Sequence, residues 1–222
     1  MARLTIRDTT AELPAFDPDV ELTPVASLDE QEVTSDFLFD GGSFRSLDLE
    51  HVRLLTGKVQ ELRTARAGFT EVRGDSVEFS GCNFSSLNWT ASKLTRVRFT
   101  NCKLLGAQLT DMTMDHVVFA DCKLDYATVE RLKTVGPVVF SGCSLAEAQF
   151  DGCDLSSALF DACAMELTEF SRGTYRGCDL RGNDLSSARG VANLHGIVID
   201  RAQTFQLAEA LAFDLSVTFG DE

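Results

Sequence analysis

The chain contains seven cysteines and three histidines, side chains that often bind metals, form disulfides or act in catalysis. The cysteine spacings are multiples of five residues, apart from one step of twenty-one, so no C-x-x-C pattern occurs. His51, His116 and His195 are isolated, and no Gly-rich phosphate loop precedes a helix. The sequence therefore predicts no catalytic site, no metal and no cofactor, and hence a protein that is not an enzyme.

A five-residue register explains the cysteine spacing. In steps of five from Phe39 to Val129, and again from Phe140 to Leu185, 27 of 29 residues are apolar. About 13 would be expected by chance at this composition. One extra residue enters the register near 133–137. If the register residue is called position i, all seven cysteines occupy position i−2.

The register predicts an all-β solenoid. Residues i and i−2 point to the same side of an extended segment, and the polar residues between such segments must turn the chain. Four segments close a square coil of twenty residues, and stacked coils pair their backbones about 4.8 Å apart. Residues twenty apart then form core columns. The two clearest columns are Phe79, Phe99, Phe119, Phe140 and Phe160, and Cys82, Cys102, Cys122, Cys143 and Cys163.

Several five-residue units match a known pattern of a small residue, Asp or Asn, Leu or Phe, a polar residue, and Gly or Ser. Examples are Cys178–Gly182, Asn183–Ser187, Cys153–Ser157 and Cys82–Ser86. The chain thus resembles the pentapeptide-repeat family over about residues 37–189. The resemblance implies a right-handed quadrilateral β-helix. It does not by itself fix a function.

Charge and composition narrow the function classes. The 34 acidic and 20 basic residues give a net charge of −14, which argues against direct binding to nucleic acid or to anionic membranes. No apolar run approaches the roughly 20 residues of a membrane span, and the first residues lack the apolar segment of a signal peptide. An odd number of cysteines without such a signal predicts free thiols and a cytoplasmic location.

Both ends of the solenoid must be capped. Residues 1–36 are acidic and contain prolines, and we expect either an arm that touches a partner or a tether that covers the first coil. Residues 190–222 are expected to form a C-terminal capping α-helix, opened by a capping box at 200–203, and then a short strand at Val217–Phe219. The predicted domains are thus 1–36, 37–189 and 190–222.

A narrower resemblance concerns the C-terminal segment. Residues 194–200, with Gln203, Leu207 and Leu211, are similar to the end of Qnr- and MfpA-type quinolone-resistance proteins. That resemblance implies a homodimer joined through the C-terminus, which imitates DNA and binds the type II topoisomerase DNA gyrase. The expected dimerisation residues are Ile199, Phe205, Ala208, Leu211, Ala212 and Leu215.

The negative charge supports this interpretation only towards the C-terminus. Residues 37–139 have a net charge of +1, whereas 140–189 and 190–222 each have −4. The expected partner-binding surface consists of seven outward acidic residues: Asp151, Asp154, Asp161, Glu166, Glu169, Asp179 and Asp184. The register leaves no room for the long loops of many Qnr proteins, so protection of gyrase from a drug and simple inhibition both stay open. The alternative function is a scaffold that binds another protein, with the 1–36 arm as its contact.

Overall fold

The computed structural model describes residues 2–17, 21–29 and 31–220. It is a β-solenoid of about seven turns with one α-helix near the C-terminus. The sequence prediction of a solenoid built from twenty-residue coils is therefore confirmed.

Short strands make up nearly all of the regular structure. In chain order they are β1 (Arg3–Ile6), β2 (Thr9–Glu12), β3 (Thr23–Pro24), β4 (Val33–Phe44), β5 (Leu47–Glu50), β6 (Arg53–Thr64), β7 (Ala67–Thr70), β8 (Arg73–Ser80), β9 (Leu87–Thr90), β10 (Lys93–Thr100), β11 (Gln108–Thr110), β12 (Thr113–Ala120), β13 (Thr128–Glu130), β14 (Lys133–Thr134), β15 (Val138–Ser141), β16 (Gln149–Asp151), β17 (Cys153–Asp154), β18 (Ala158–Asp161), β19 (Glu169–Phe170) and β20 (Gly173–Thr174). A 3₁₀ turn at Val191–Asn193 and helix α1 (Gln203–Asp214) follow.

Two parallel sheets run along the solenoid, and β1 and β2 form a separate antiparallel hairpin. The larger sheet has eleven strands, and the smaller has seven, from β5 to β19. Neighbouring strands pair residues that are twenty positions apart, as in Phe79↔Phe99. Each coil therefore has four faces. Their i columns run through Phe79, Phe99 and Phe119 (face I), Phe84, Leu104 and Leu124 (face II), Phe69, Trp89 and Leu109 (face III), and Leu94, Met114 and Leu155 (face IV).

The phenylalanine column of face I is a continuous stack. Its five rings lie 4.7–4.9 Å apart between centroids and within 7° of parallel. This spacing equals the separation of the paired strands, and stacked rings add about 0.5–1.5 kcal/mol per pair beyond area burial. The five side chains, Phe79, Phe99, Phe119, Phe140 and Phe160, are all buried, as predicted.

The cysteine column of face II is also buried, and all seven cysteines of the chain are free thiols. Each thiol in the column has a backbone carbonyl within reach. For example, the Cys143 Sγ donates to the Phe119 carbonyl at 3.4 Å. Elsewhere in the core, burial raises the pKa of Cys153 to about 11. These thiols therefore serve as small core side chains with a weak donor.

Left-handed backbone at position i+2 makes the corners of the coils. Eighteen residues other than glycine have positive φ there, including Ala91 (49°) and Tyr126 (60°), and Gly81 has 62°. Each corner of this kind costs about 1–2 kcal/mol for a residue with a Cβ. The solenoid therefore depends on core burial to stabilise its turns.

The extra residue of the register lies between Thr134 and Val138. Thr134 pairs with Met114 twenty residues earlier, whereas Val138 pairs with Val117, twenty-one residues earlier. The insertion is thus contained in one corner. Both neighbouring faces keep their register.

The N-terminal extension contacts the solenoid in two places. Residues 23–28 cover the first coil, where Thr23 pairs with Phe37 and Leu28 is 2% exposed. The β1–β2 hairpin instead packs far along the outside of face I. Its Ala11 is fully buried there in a cluster with three outward apolar residues, Val118, Val139 and Leu159.

The C-terminal segment differs from the prediction in two details. Parallel pairing continues past residue 189 to Val198, which forms a bridge with Asp179. The predicted strand at Val217–Phe219 is wrong, because that segment is exposed and has no strand partner among the described residues. Helix α1 itself is present, from Gln203 to Asp214.

Candidate partner-binding surfaces

The seven predicted acidic residues encircle the C-terminal half of the solenoid. Asp161 and Asp179 lie on face I, Glu166 and Asp184 on face II, Asp151 and Glu169 on face III, and Asp154 on face IV. The structure therefore does not bring them together on one face. Their combined effect is a negative field around this part of the rod.

Asp179 is not a free surface charge, which corrects the prediction for this residue. Its side chain is 9% exposed and accepts hydrogen bonds from Arg181 Nη2 at 2.7 Å and Arg7 Nη1 at 3.3 Å. Burial alone would raise the pKa of Asp179, but hydrogen bonds from Arg181 and the charge of Arg7 outweigh it and lower the pKa. Asp179 thus holds the N-terminal hairpin in place.

Arginines also form ion pairs with two of the other six predicted acidic residues, Asp161 and Asp151. Arg7 Nη2 lies 2.7 Å from Asp161 Oδ1, and Arg172 Nη2 lies 2.7 Å from Asp151 Oδ2. Hydrogen bonds from Arg172 lower the pKa of Asp151. The other four carboxylates, Asp154, Glu166, Glu169 and Asp184, have no ion pair with any residue that the structure describes.

Helix α1 closes the end of the solenoid with polar side chains. The buried Gln203 donates its amide hydrogens to the carbonyls of Leu180 and Asn183, both at 2.8 Å. The Asp214 carboxylate accepts from the backbone N–H groups of Gly190 and Val191 at 3.1 and 2.7 Å. These contacts satisfy backbone groups that no further coil is present to pair.

The predicted capping box is half formed. The Gln203 side chain accepts from the Asp200 N–H at 2.7 Å, as a capping box requires. The Asp200 carboxylate, however, accepts from the Gly182 N–H at 3.0 Å instead of from the helix. Asp200 therefore joins the segment before α1 to the last coil.

The opposite side of α1 carries exposed apolar side chains, beside the polar Thr204 and Glu209. Of the six predicted dimerisation residues, Phe205 is 81%, Leu215 64% and Leu211 37% exposed, and Ala208 is also exposed. Ile199 and Ala212 are half-buried. The sequence prediction missed further exposed aromatic residues in the same segment, Phe213 at 67% and Phe219 at 78%. We call Phe205, Leu211, Phe213, Leu215 and Phe219 the C-terminal apolar patch.

A patch of this kind marks an interaction surface in most soluble proteins. The inner positions of α1 are Gln203, Gln206, Leu207, Ala210 and Asp214, which recur at helical spacing. Gln206 Oε1 accepts from the Leu185 N–H at 3.2 Å, and Ala210 is fully buried. This spacing was the signal by which the inward face of α1 could have been recognised.

Within the part of the chain that the structure describes, no three His, Cys, Asp or Glu side chains are arranged to hold a metal ion. In the same residues, no helix has the length and apolar character needed to cross a bilayer.

Comparisons with known proteins matched one family model and several solved structures. Curated protein sequences contain no significant match to the chain. A trypsin-treated variant of QnrB1, a plasmid-mediated fluoroquinolone resistance protein, is 18% identical, with 77% of this chain and 98% of that chain covered and a TM-score of 0.45. Full-length QnrB1 is 16% identical, with coverages of 78% and 99% and a TM-score of 0.43.

A further solved structure with detectable similarity is HetL, a pentapeptide repeat protein involved in heterocyst differentiation regulation in Nostoc sp. It is 15% identical, with 78% of this chain and 89% of that chain covered and a TM-score of 0.25. The family model for the pentapeptide repeat region matches residues 64–129 and 92–170. With its five-residue register and its square stacked coils, the segment 64–170 of this chain is a pentapeptide repeat region.

Proposed function

We propose that this protein binds the type II topoisomerase DNA gyrase as a non-enzymatic homodimer whose acidic rod imitates a DNA duplex. In this role it modulates gyrase or protects it from quinolones or natural-product poisons in the cytoplasm. The observation that carries the proposal is the exposed C-terminal apolar patch, which adjoins the acidic half of the solenoid. The sequence resemblance of the C-terminal segment to Qnr- and MfpA-type proteins favours the same partner.

The patch supports association of two copies end to end. Phe205 and Phe219 are 81% and 78% exposed, and apolar rings in water favour burial against a second surface. A two-fold axis at this end would place the C-terminal apolar patch of one copy against the same patch of the other copy, as in an isologous dimer. The two acidic halves would then meet at the centre of one long rod.

The charge distribution supports a cationic partner surface. Two copies would carry twice the net charge of −14, with −8 per copy contributed by residues 140–222. A long acidic rod resembles the charge of a duplex, and complementary charge would accelerate its association with a DNA-binding groove. The proposed contacts are the four carboxylates that have no ion pair within the described part of the chain: Asp154, Glu166, Glu169 and Asp184.

A gyrase supercoiling assay tests this function. Increasing concentrations of the protein should inhibit supercoiling of relaxed plasmid or reduce quinolone-stabilised DNA cleavage, and the effect should weaken with added salt. The double variant Glu166→Gln/Asp184→Asn should reduce the effect. The matched control Asp48→Asn/Glu50→Gln makes the same charge change in the first coil and should have little effect. Absence of both effects at all concentrations would exclude gyrase as the partner.

A second candidate function is a scaffold that binds another protein, and one observation favours it. Charges of both signs are mixed over the first five coils, and the ion pairs of Arg7 neutralise Asp161 and Asp179. A surface of this kind fits a protein partner other than a gyrase groove. Deletion of residues 2–13 tests this alternative. It should abolish binding of that partner while the circular dichroism of the solenoid is kept.

A further inference from the structure

One outward column of face IV is basic, in contrast to the acidic chain as a whole. Arg53, Arg73 and Lys93 occupy position i−1 of three successive coils and pair directly in register. We call these three residues the basic ladder. The next two positions of the same column, which we also call rungs, hold Thr113 and Lys133. All four cations are exposed.

Carboxylates lie near the basic ladder, but those that the structure describes do not pair with it. None of its three residues forms an ion pair with a residue that the structure describes, although carboxylates line the same groove. Glu71, Asp75 and Asp111 are each engaged elsewhere. Their oxygens lie 3.2 Å from His51, 2.5 Å from Arg96 and 2.7 Å from Arg131, respectively.

Three like charges in register are unfavourable. Neighbouring rungs are about 4.8 Å apart, and like charges directly opposite each other on paired strands destabilise a sheet. A ligand that places carboxylates over the rungs would remove this repulsion. The rungs lie in an open groove of about 690 Å³, so a ligand has room to approach them.

The spacing of the rungs distinguishes between possible ligands. Carboxylates one helical turn apart lie about 5.4 Å apart along an α-helix, close to the rung spacing. Alternate side chains of an extended peptide are about 6.6–6.8 Å apart, so they lose register with the rungs within two steps. Single-stranded nucleic acid needs aromatic side chains for stacking, and the groove lining contains none.

We propose that the basic ladder binds the acidic face of an α-helix from a partner protein, with the helix axis parallel to the solenoid axis. Acidic residues at positions i, i+4 and i+7 of that helix would lie over Arg53, Arg73 and Lys93. The long, flexible side chains of the basic ladder can adjust to the small difference between the strand spacing of about 4.8 Å and the helical turn of about 5.4 Å. This proposal does not depend on binding to gyrase.

Fluorescence anisotropy with a labelled probe tests the proposal. The probe is an alanine-rich helical peptide of about five turns with glutamates at i, i+4, i+7 and i+11. A peptide of the same composition with its glutamates spread around the helix is the first control. The wild-type protein should bind the probe about tenfold more tightly than the control peptide, and added salt should weaken this binding.

The second control is a charge-matched variant. Arg73→Glu/Lys93→Glu should weaken probe binding at least tenfold, whereas Lys103→Glu/Lys123→Glu makes the same charge change on face II and should alter it less than twofold. Unchanged circular dichroism and thermal unfolding show that both variants are folded, because all four side chains are exposed.

Three results would overturn the proposal. Equal weakening by both variants would mean that only overall charge matters. Equal binding of the two peptides would remove the argument from spacing. Tighter binding of an oligothymidylate, lost in Arg73→Glu/Lys93→Glu, would assign the ladder to nucleic acid instead.

Discussion

The two ends of the solenoid are closed in opposite ways. At the N-terminal end, residues 23–28 cover the first coil with an apolar side chain, and Leu28 is 2% exposed. At the C-terminal end, helix α1 turns polar Gln203 towards the coils and leaves Phe205 81% exposed. The first end thus buries its apolar cap residue within one chain, whereas the second leaves apolar side chains exposed.

The largest expected effect comes from charging that surface. Phe205→Asp/Leu215→Asp should weaken dimerisation about 1,000-fold, or about 4.1 kcal/mol, because the aspartates would be buried in an apolar interface. Light scattering should then report the 24.3 kDa monomer. The control Ser216→Asp/Thr218→Asp adds the same charges to the same segment and should keep the dimer. If the wild type is itself monomeric at high concentration, the C-terminal end does not dimerise.

A charge in the N-terminal hairpin should release it from face I without unfolding the solenoid. Ala11→Asp would place a carboxylate among Val118, Val139 and Leu159 and should cost about 3 kcal/mol of hairpin docking. Trypsin should then cut rapidly after Arg7. The exposed neighbour Thr10 gives the matched control, Thr10→Asp. Slow cleavage of Ala11→Asp would show that the hairpin does not depend on this cluster.

The first two coils differ from later coils at position i−2 of face I, where they hold Phe37 and Gly57. Position i−2 of face I holds Val77, Val97 and Val117 in later coils, which makes Gly57→Val appear harmless from sequence. A Cβ on Gly57 would lie only 2.2 Å from the Phe37 ring, so the substitution should destabilise the fold by about 1–3 kcal/mol. Denaturant unfolding measures the loss. Adding Phe37→Val should restore much of it, and no loss in Gly57→Val alone would contradict the close packing.

The smallest effect concerns pH and the ion pairs of the hairpin. Because the folded pKa of Asp179 is lowered, its stabilising contribution is present above the unfolded value of about 3.9 and is lost as pH falls through the folded pKa. Arg7→Gln should therefore lower the free energy of unfolding most at neutral pH. The difference from wild type should shrink in acid, as measured by unfolding at a series of pH values. A difference that is independent of pH would exclude the charge of Asp179 as the cause.

The core could be predicted from sequence because the repeat itself encodes it. Phe99 and Cys102 recur at fixed positions, and burial of those positions is the only constraint that a stacked coil needs. The hairpin site could not be predicted in the same way, because Val118 and Leu159 lie at outward positions that the register treats as solvent-facing. An apolar run in that outward column was the available signal.

The acidic site could be predicted only in part. The register placed Asp161 and Asp179 correctly outside the core, but it could not show that Arg7, more than 150 residues away in the chain, lies over both. Contacts between the hairpin and the coils have no periodicity. Only the folded arrangement reveals which charges are already neutralised.

The amide of Gln203 has a consequence for assembly. An open β-solenoid exposes unpaired backbone groups at its last coil, and such an edge can recruit further chains into a filament. Here Gln203 and Asp214 occupy those groups, and β3 covers the first coil at the far end. These contacts oppose polymerisation by strand addition at both termini of the solenoid.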